Sequence, residues 1–349
     1  MVTRKLGSAA SSQEPIEKPP ANDKSAASLI TIGITCFNAA DTIERCINSA
    51  LSQTWPDLEI IIVDDKSSDG SQQKIAKLTE KDPRVRLICH EQNFGTAVAR
   101  TRLVREARGE FLAFFDDDDE ALPERVATQA AAVIAHEEEF GGALLACYAS
   151  RLVIKPNGRE CYSKSIGTRK PYPFGETVAV HILTGEPVKN YSMGMTGSCT
   201  LFARLSTFHA VGDFDSQFRR CQDLDWAVRL ALLGGHFVGC PQALTHQYVT
   251  ATEDKAQTKP LEYSLLLKKK YRTFLSSRGL YRTAVVRSYV QFFYARGYRF
   301  RFRAAVMVLF LLRPRTVVRQ WKTARAKSLR LATGASPQSG QAVRSRSGS

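Results

Sequence analysis

Five of the six residues from Glu110 to Phe115 are apolar, and the run stops abruptly at four aspartates, Asp116 to Asp119. Similar short apolar runs occur in "LITIGITCF" (29–37), "LEIIIVDD" (58–65) and "VRLICH" (85–90). Each has the length and β-branched content of a strand and is too continuous for a strand with one wet face. Between them the period becomes helical: Ile43, Cys46, Ile47, Ala50 and Leu51 fall at helical intervals, and "SQQKIAKLTEK" and "TAVARTRLVREA" (96–107) also read as helices. Asp41, with Glu44 three residues on, has capping-box spacing ahead of the first helix. Apolar strands alternating with helices predict an α/β fold whose parallel sheet is covered on both faces.

Ligands of such open sheets bind beyond the carboxyl ends of the strands. Asp64 and Asp65 end the second strand and Asp116 to Asp119 end the fourth, so both acidic groups are expected on one rim. Two carboxylates about 4 Å apart repel by roughly 4 kcal/mol at an effective dielectric near 20, which a cation or water must relieve. A solvated turn capping the helix "PERVATQAAAVIAH" would account for one cluster, and an Asx-rich turn for "VDDKSSDGS", but not for their convergence. Mg²⁺ is usually held by one or two carboxylates plus substrate phosphates, so the rim suits a nucleotide diphosphate.

Charge divides the 349-residue chain. Its net charge is +15, yet residues 263–349 hold 20 of the 49 lysines and arginines and none of the 34 acidic residues, leaving the body at −5. Such asymmetry predicts a boundary near residue 260 and an anionic partner for the tail. From Leu265 onward, arginines alternate with apolar and aromatic residues, as in helices that lie on a membrane surface. The longest apolar run there, Ala304 to Leu312, is too short to span a bilayer as a helix. No RRM, zinc-finger or helix-turn-helix signature accompanies the basic tail, so nucleic acid is not the expected partner. Eight cysteines without a CxxC pair read as reduced thiols, and residues 1–28 lack the apolar core of a signal peptide; both predict a cytoplasmic protein.

The stretches "ITIGITCFNAADTIERCINSALSQTWPDLEIIIVDDKSSDGS" and "NFGTAVARTRLVREARGEFLAFFDDDD" resemble the nucleotide-binding half of family 2 inverting glycosyltransferases of the GT-A fold, over roughly residues 29–250. That resemblance implies a mostly parallel twisted sheet with helices on both faces, followed by a basic α-helical extension. The domains expected are a disordered arm over 1–28, a GT-A domain over 29–260 (nucleotide-binding half 29–123, acceptor half 124–260), a basic amphipathic helical membrane-associating region over 261–330, and a disordered tail over 331–349.

It also implies roles for individual residues. Thr35 and Phe37 would line the base pocket, Asp65 would hydrogen-bond the base, and Arg100 would help hold the nucleotide. Asp116 and Asp118 match the DxD carboxylates, Asp118 as a metal ligand and Asp116 facing the ribose or the metal, with Mn²⁺ or Mg²⁺ as the ion and His246 as a third ligand. Gly197 and Ser198 would contact donor sugar or acceptor. Gln222 and Asp223 stand where the family commonly has Glu-Asp, which makes Asp223 the catalytic base; alternatively Asp223 and Asp225 serve only as favourable charges in the first turn of a helix. The expected partners are a UDP-sugar, a saccharide or lipid-linked acceptor and an anionic membrane surface, with the protein peripheral at the inner face of the cell membrane. A sugar nucleotidyltransferase would open with a Gly-rich loop, which "TCFNAADT" lacks, and a processive polysaccharide synthase would carry a QxxRW motif and several membrane spans.

Overall fold

The computed structural model describes residues 28–249, 260–314 and 318. Its first half alternates as the pattern predicts: β1 (Ile30–Cys36), α1 (Ile43–Leu51), β2 (Leu58–Asp64), α2 (Ser71–Thr79), β3 (Val85–Cys89), α3 (Thr96–Glu106) and β4 (Phe111–Asp116). The second half comprises β5 (Glu120–Ala121), α4 (Arg125–Phe140), β6 (Leu145–Ile154), β7 (Glu160–Ser163), α5 (Glu176–Thr184), β8 (Leu201–Arg204), α6 (Leu205–Val211), α7 (Gln222–Leu232) and β9 (His236–Tyr248). Four helices follow: α8 (Pro260–Lys270), α9 (Arg272–Ser276), α10 (Tyr281–Ala295) and α11 (Arg299–Leu312).

The nine strands among the described residues form one sheet, ordered β3-β2-β1-β4-β8-β6-β9-β5, with β7 on β6. Strands β1 to β4 are mutually parallel, whereas β8 runs antiparallel to both β4 and β6, so the second half of the sheet is mixed. Both faces are covered. Ile61, Val63, Leu112 and Phe114 pack into one core, and their neighbours Ile60, Ile62, Ala113 and Phe115 pack into another. That two-sided burial is why these strands read as unbroken apolar runs.

The Asp41–Glu44 capping box does not form. Thr42 occupies the N-cap of α1 and no side chain caps the helix. The loop ahead of it is held from across the rim instead: Ser71 Oγ accepts from the Ala39 N–H at 2.9 Å, and the Asp69 carboxylate accepts from the Ala40 N–H at 2.8 Å.

The basic extension divides in two. Leu267, Tyr271, Leu275, Leu280 and Ala284 are buried in the same core as Trp226 and Leu230 of α7, so residue 260 does not separate two cores. Full burial of a leucine is worth roughly 1.5–3 kcal/mol, which makes α8 and α9 part of the folded body. Arg278 adds an ion pair to Glu176 of α5. Only the outer part of α10 and most of α11 stand away from the core. The expected arm over 1–28, except its last residue, and the tail over 331–349 lie outside the described residues.

Candidate active site

Strand register puts the predicted chemistry on one edge. Thr35 pairs with Val63 on one side and with Asp116 on the other, and Cys36 pairs with Asp64. The carboxyl ends of β1, β2 and β4 therefore finish level, and beyond them opens a cleft of about 1450 Å³. Thr35, Phe37, Asp65, Arg100, Asp116, Asp118, Gly197, Ser198, Gln222 and Asp223 all line it.

His246 is the exception. It pairs with Glu120 in the β5–β9 ladder, 4.0 Å from that carboxylate, while the next residue, Gln247, lines the cleft. Side chains alternate along a strand, and the alternation turns His246 away from the predicted metal carboxylates.

Asp65 is buried and organises the rim. It accepts from the Phe94 N–H at 3.0 Å and the Gly95 N–H at 2.7 Å, and its Oδ1 lies 2.8 Å from His90 Nδ1. A carboxylate offers about four acceptor sites, so three contacts leave capacity for one further donor. Arg100 projects from α3 beneath the acidic run, with Nη2 3.1 Å from Asp116 Oδ1. It is no helix-surface arginine, being buried and lying over the Phe114 ring. Asp117 accepts from the Phe37 N–H at 3.0 Å, which ties the end of β1 to the end of β4.

Asp119 is the deepest of the four aspartates. Neither of its carboxylate oxygens closes a hydrogen bond of normal geometry. Burial, aggravated by Asp116 and Asp118, pushes its pKa up to about 8; Arg151 and the Tyr248 main chain offset this only in part. Asp119, Asp116 and Cys199 bring ligand atoms within 4.8 Å of one another. Burial also pushes the Cys199 thiol up to about 12, so with no cation beside it the thiol stays protonated near neutral pH. The oxygen ligands here suit a hard cation, Mn²⁺ or Mg²⁺, better than a thiophilic one.

Across the cleft, α7 opens with Cys221 in the left-handed region at φ 68°, and Gln222 and Asp223 form its first turn. Burial raises the Asp223 pKa above the ordinary carboxylate value, and Arg100 opposes part of that rise. Sequence reasoning missed Arg151, which lines the cleft from β6 and reaches Cys199 Sγ at 2.7 Å. A Cβ on Gly197 would stand 2.9 Å from Arg151 Nη1, so the glycine lets this turn lie against the guanidinium. No local motif marks Arg151; only the β6–β8 pairing brings it there. Arg219, Arg220 and, from α10, Arg287 and Gln291 complete the mouth.

The profile described as "Glycosyl transferase family 2" matches residues 31–185. The chain carries a family 2 glycosyltransferase domain. It is 41% identical over 108 residues to the succinoglycan biosynthesis protein ExoO of Rhizobium meliloti, covering 31% of this chain and 30% of that protein. It is 40% identical over 103 residues to the UDP-Glc:alpha-D-GlcNAc-diphosphoundecaprenol beta-1,3-glucosyltransferase WfaP of Escherichia coli, covering 29% and 39%. These matches span well under half the length of either relative. The crystal structure of S. aureus TarS 1-349 in complex with UDP-GlcNAc superposes with a TM-score of 0.57 over 82% of each chain, at 16% identity, and shares the GT-A fold.

Proposed function

We propose that this family 2 domain transfers one sugar from a UDP-sugar to a hydroxyl of a saccharide or lipid-linked acceptor in cell-surface polysaccharide synthesis, peripherally at the cytoplasmic face of the membrane. The observation that carries the reading is a single cleft lined by Asp65, Asp116 and Asp118 on the strand rim and by Asp223, with its raised pKa, on α7. The UDP-sugar donor is supported by the names of WfaP and of the UDP-GlcNAc complex of TarS, and the lipid-linked acceptor by that of WfaP.

In this mechanism Thr35 and Phe37 flank the base and the spare acceptor site of Asp65 takes a base N–H. Arg100 holds Asp116 in position. Asp118 and Asp116 would hold Mn²⁺ or Mg²⁺, which when bound stabilises charge on the diphosphate. Asp223 accepts the proton of the acceptor hydroxyl while that oxygen bonds to the anomeric carbon. The bond from that carbon to the diphosphate oxygen breaks in the same displacement, and the configuration inverts.

Calorimetry tests the donor half. With Mn²⁺ present, Asp118→Ala should bind UDP at least about tenfold more weakly than the wild type, a loss of about 1.4 kcal/mol or more. The gap should close when the cation is chelated. Equal binding of the two proteins with Mn²⁺ would remove Asp118 from the site.

A further inference from the structure

We infer that the α10–α11 hairpin is a bilayer-docking element, and that it sets the cleft against an anionic membrane from which the acceptor is drawn. On α11 the usual arrangement of an amphipathic helix is reversed. Leu309 is its buried residue, while Phe300, Ala304, Met307 and Leu311 recur at helical spacing on the opposite side, within about 40° of a common direction. Phe300 is 85% exposed, Leu311 75% and Met307 67%, and Tyr294 at the end of α10 is 74% exposed. Tyr294 packs on Phe302, while Phe292, Phe293 and Tyr298 cluster around the turn between the helices.

An outward apolar stripe of this extent needs a covering partner. Its flanks identify the partner by charge: Arg301 lies on one side of the stripe, Arg299 and Arg303 on the other, and Arg296 sits at the turn, with no acidic residue after Glu262. Cations flanking an apolar stripe fit the boundary between acyl chains and anionic headgroups. Among the described residues no helix is long and apolar enough to cross a membrane, so the hairpin would lie in the surface.

The cleft shares this element. Arg287 and Gln291 of α10 line its mouth, and along a helix Arg287 stands only about 13 Å from Arg296 at the turn. A hydroxyl on a saccharide carried by a membrane lipid is therefore within short reach of the mouth. Acceptor delivery rests on the glycosyl-transfer reading; membrane docking does not.

Co-sedimentation of the full chain with vesicles tests the docking. The wild type should partition onto vesicles containing anionic phospholipid, weakly onto neutral ones, and less as salt is raised. Phe300→Asp with Leu311→Asp should lower partitioning at least about tenfold, and replacing Arg299, Arg301 and Arg303 by Ala should lower it about a hundredfold. UDP binding should be unchanged in both, because none of these residues lines the cleft. Wild-type partitioning by the Asp variant, or equal partitioning onto neutral vesicles, overturns the docking site. Conversion of a dimer to a monomer by the Asp variant with vesicle binding retained would assign the face to a second copy and also overturn it. Vesicle binding without any UDP binding would leave the docking site standing and remove the glycosyl-transfer reading.

Discussion

Asp223→Asn is expected to lower sugar transfer by about 10²–10⁴-fold while leaving UDP-sugar affinity nearly unchanged. The amide keeps the size and position of the carboxylate at the start of α7 but accepts no proton at neutral pH. The residues proposed to contact the nucleotide, Thr35, Asp65 and Asp116, line the cleft from the strand rim and not from α7. Dependence on pH gives a second signature. The proposed base would act in its unprotonated form, and burial holds the Asp223 pKa above the usual carboxylate value, so wild-type turnover should fall as pH is lowered through that raised value. The Asn variant should lose this acidic limb. Steady-state rates across pH, with donor affinity measured in parallel, check both; an Asn variant at the wild-type rate would exclude Asp223 as the base.

Asp225→Ala should destabilise the fold by about 3–5 kcal/mol, the usual cost of removing one partner from a buried charge cluster. Asp225 is fully buried two residues beyond the proposed base. It pairs with Arg229 Nε at 2.9 Å on its own helix, and with Lys270 Nζ at 2.7 Å and the Tyr271 hydroxyl at 2.8 Å on the C-terminal segment. Arg229 in turn donates to the Asp213 carbonyl at 2.7 Å, and Lys270 reaches Asp215 at 2.7 Å. Removing the shared anion takes an acceptor from the buried Tyr271 hydroxyl and leaves Arg229 only its main-chain acceptors and Lys270 only Asp215 at the joint between α7 and α8. Asp225→Asn, which keeps hydrogen bonds but not charge, should lose less. Urea denaturation of the full-length proteins measures the difference; an Ala variant within about 0.5 kcal/mol of wild type would mean the cluster does not hold this joint.

The first half of the domain was legible because its signals are local. Strands buried on both faces leave unbroken apolar runs, and the aspartates that end β2 and β4 stand directly in sequence after them. Parallel pairing then brought those ends level without further information. The second half was less legible because its geometry depends on antiparallel pairings between distant segments. Arg151 reaches Cys199 only because β6 and β8 are neighbours, and the facing of His246 depends on its register with Glu120. Asp225 shows the same limit: its place in the first turn of α7 read as a helix-dipole charge, and its partners Lys270 and Tyr271 lie beyond the charge boundary that suggested a separate tail. Net charge located the basic segment but could not say which of its apolar residues enter the core. Leu267 and Leu275 do, whereas Phe300 and Leu311 do not.

Calorimetric titration of the wild-type chain with a panel of nucleotide diphosphates and their sugar conjugates, with and without Mn²⁺ or Mg²⁺, decides whether the acidic cleft receives a nucleotide-diphosphate sugar. One site per chain is expected, with a preference for uridine compounds and binding that weakens when the cation is chelated. Absence of binding by every nucleotide diphosphate with the cation present would contradict it.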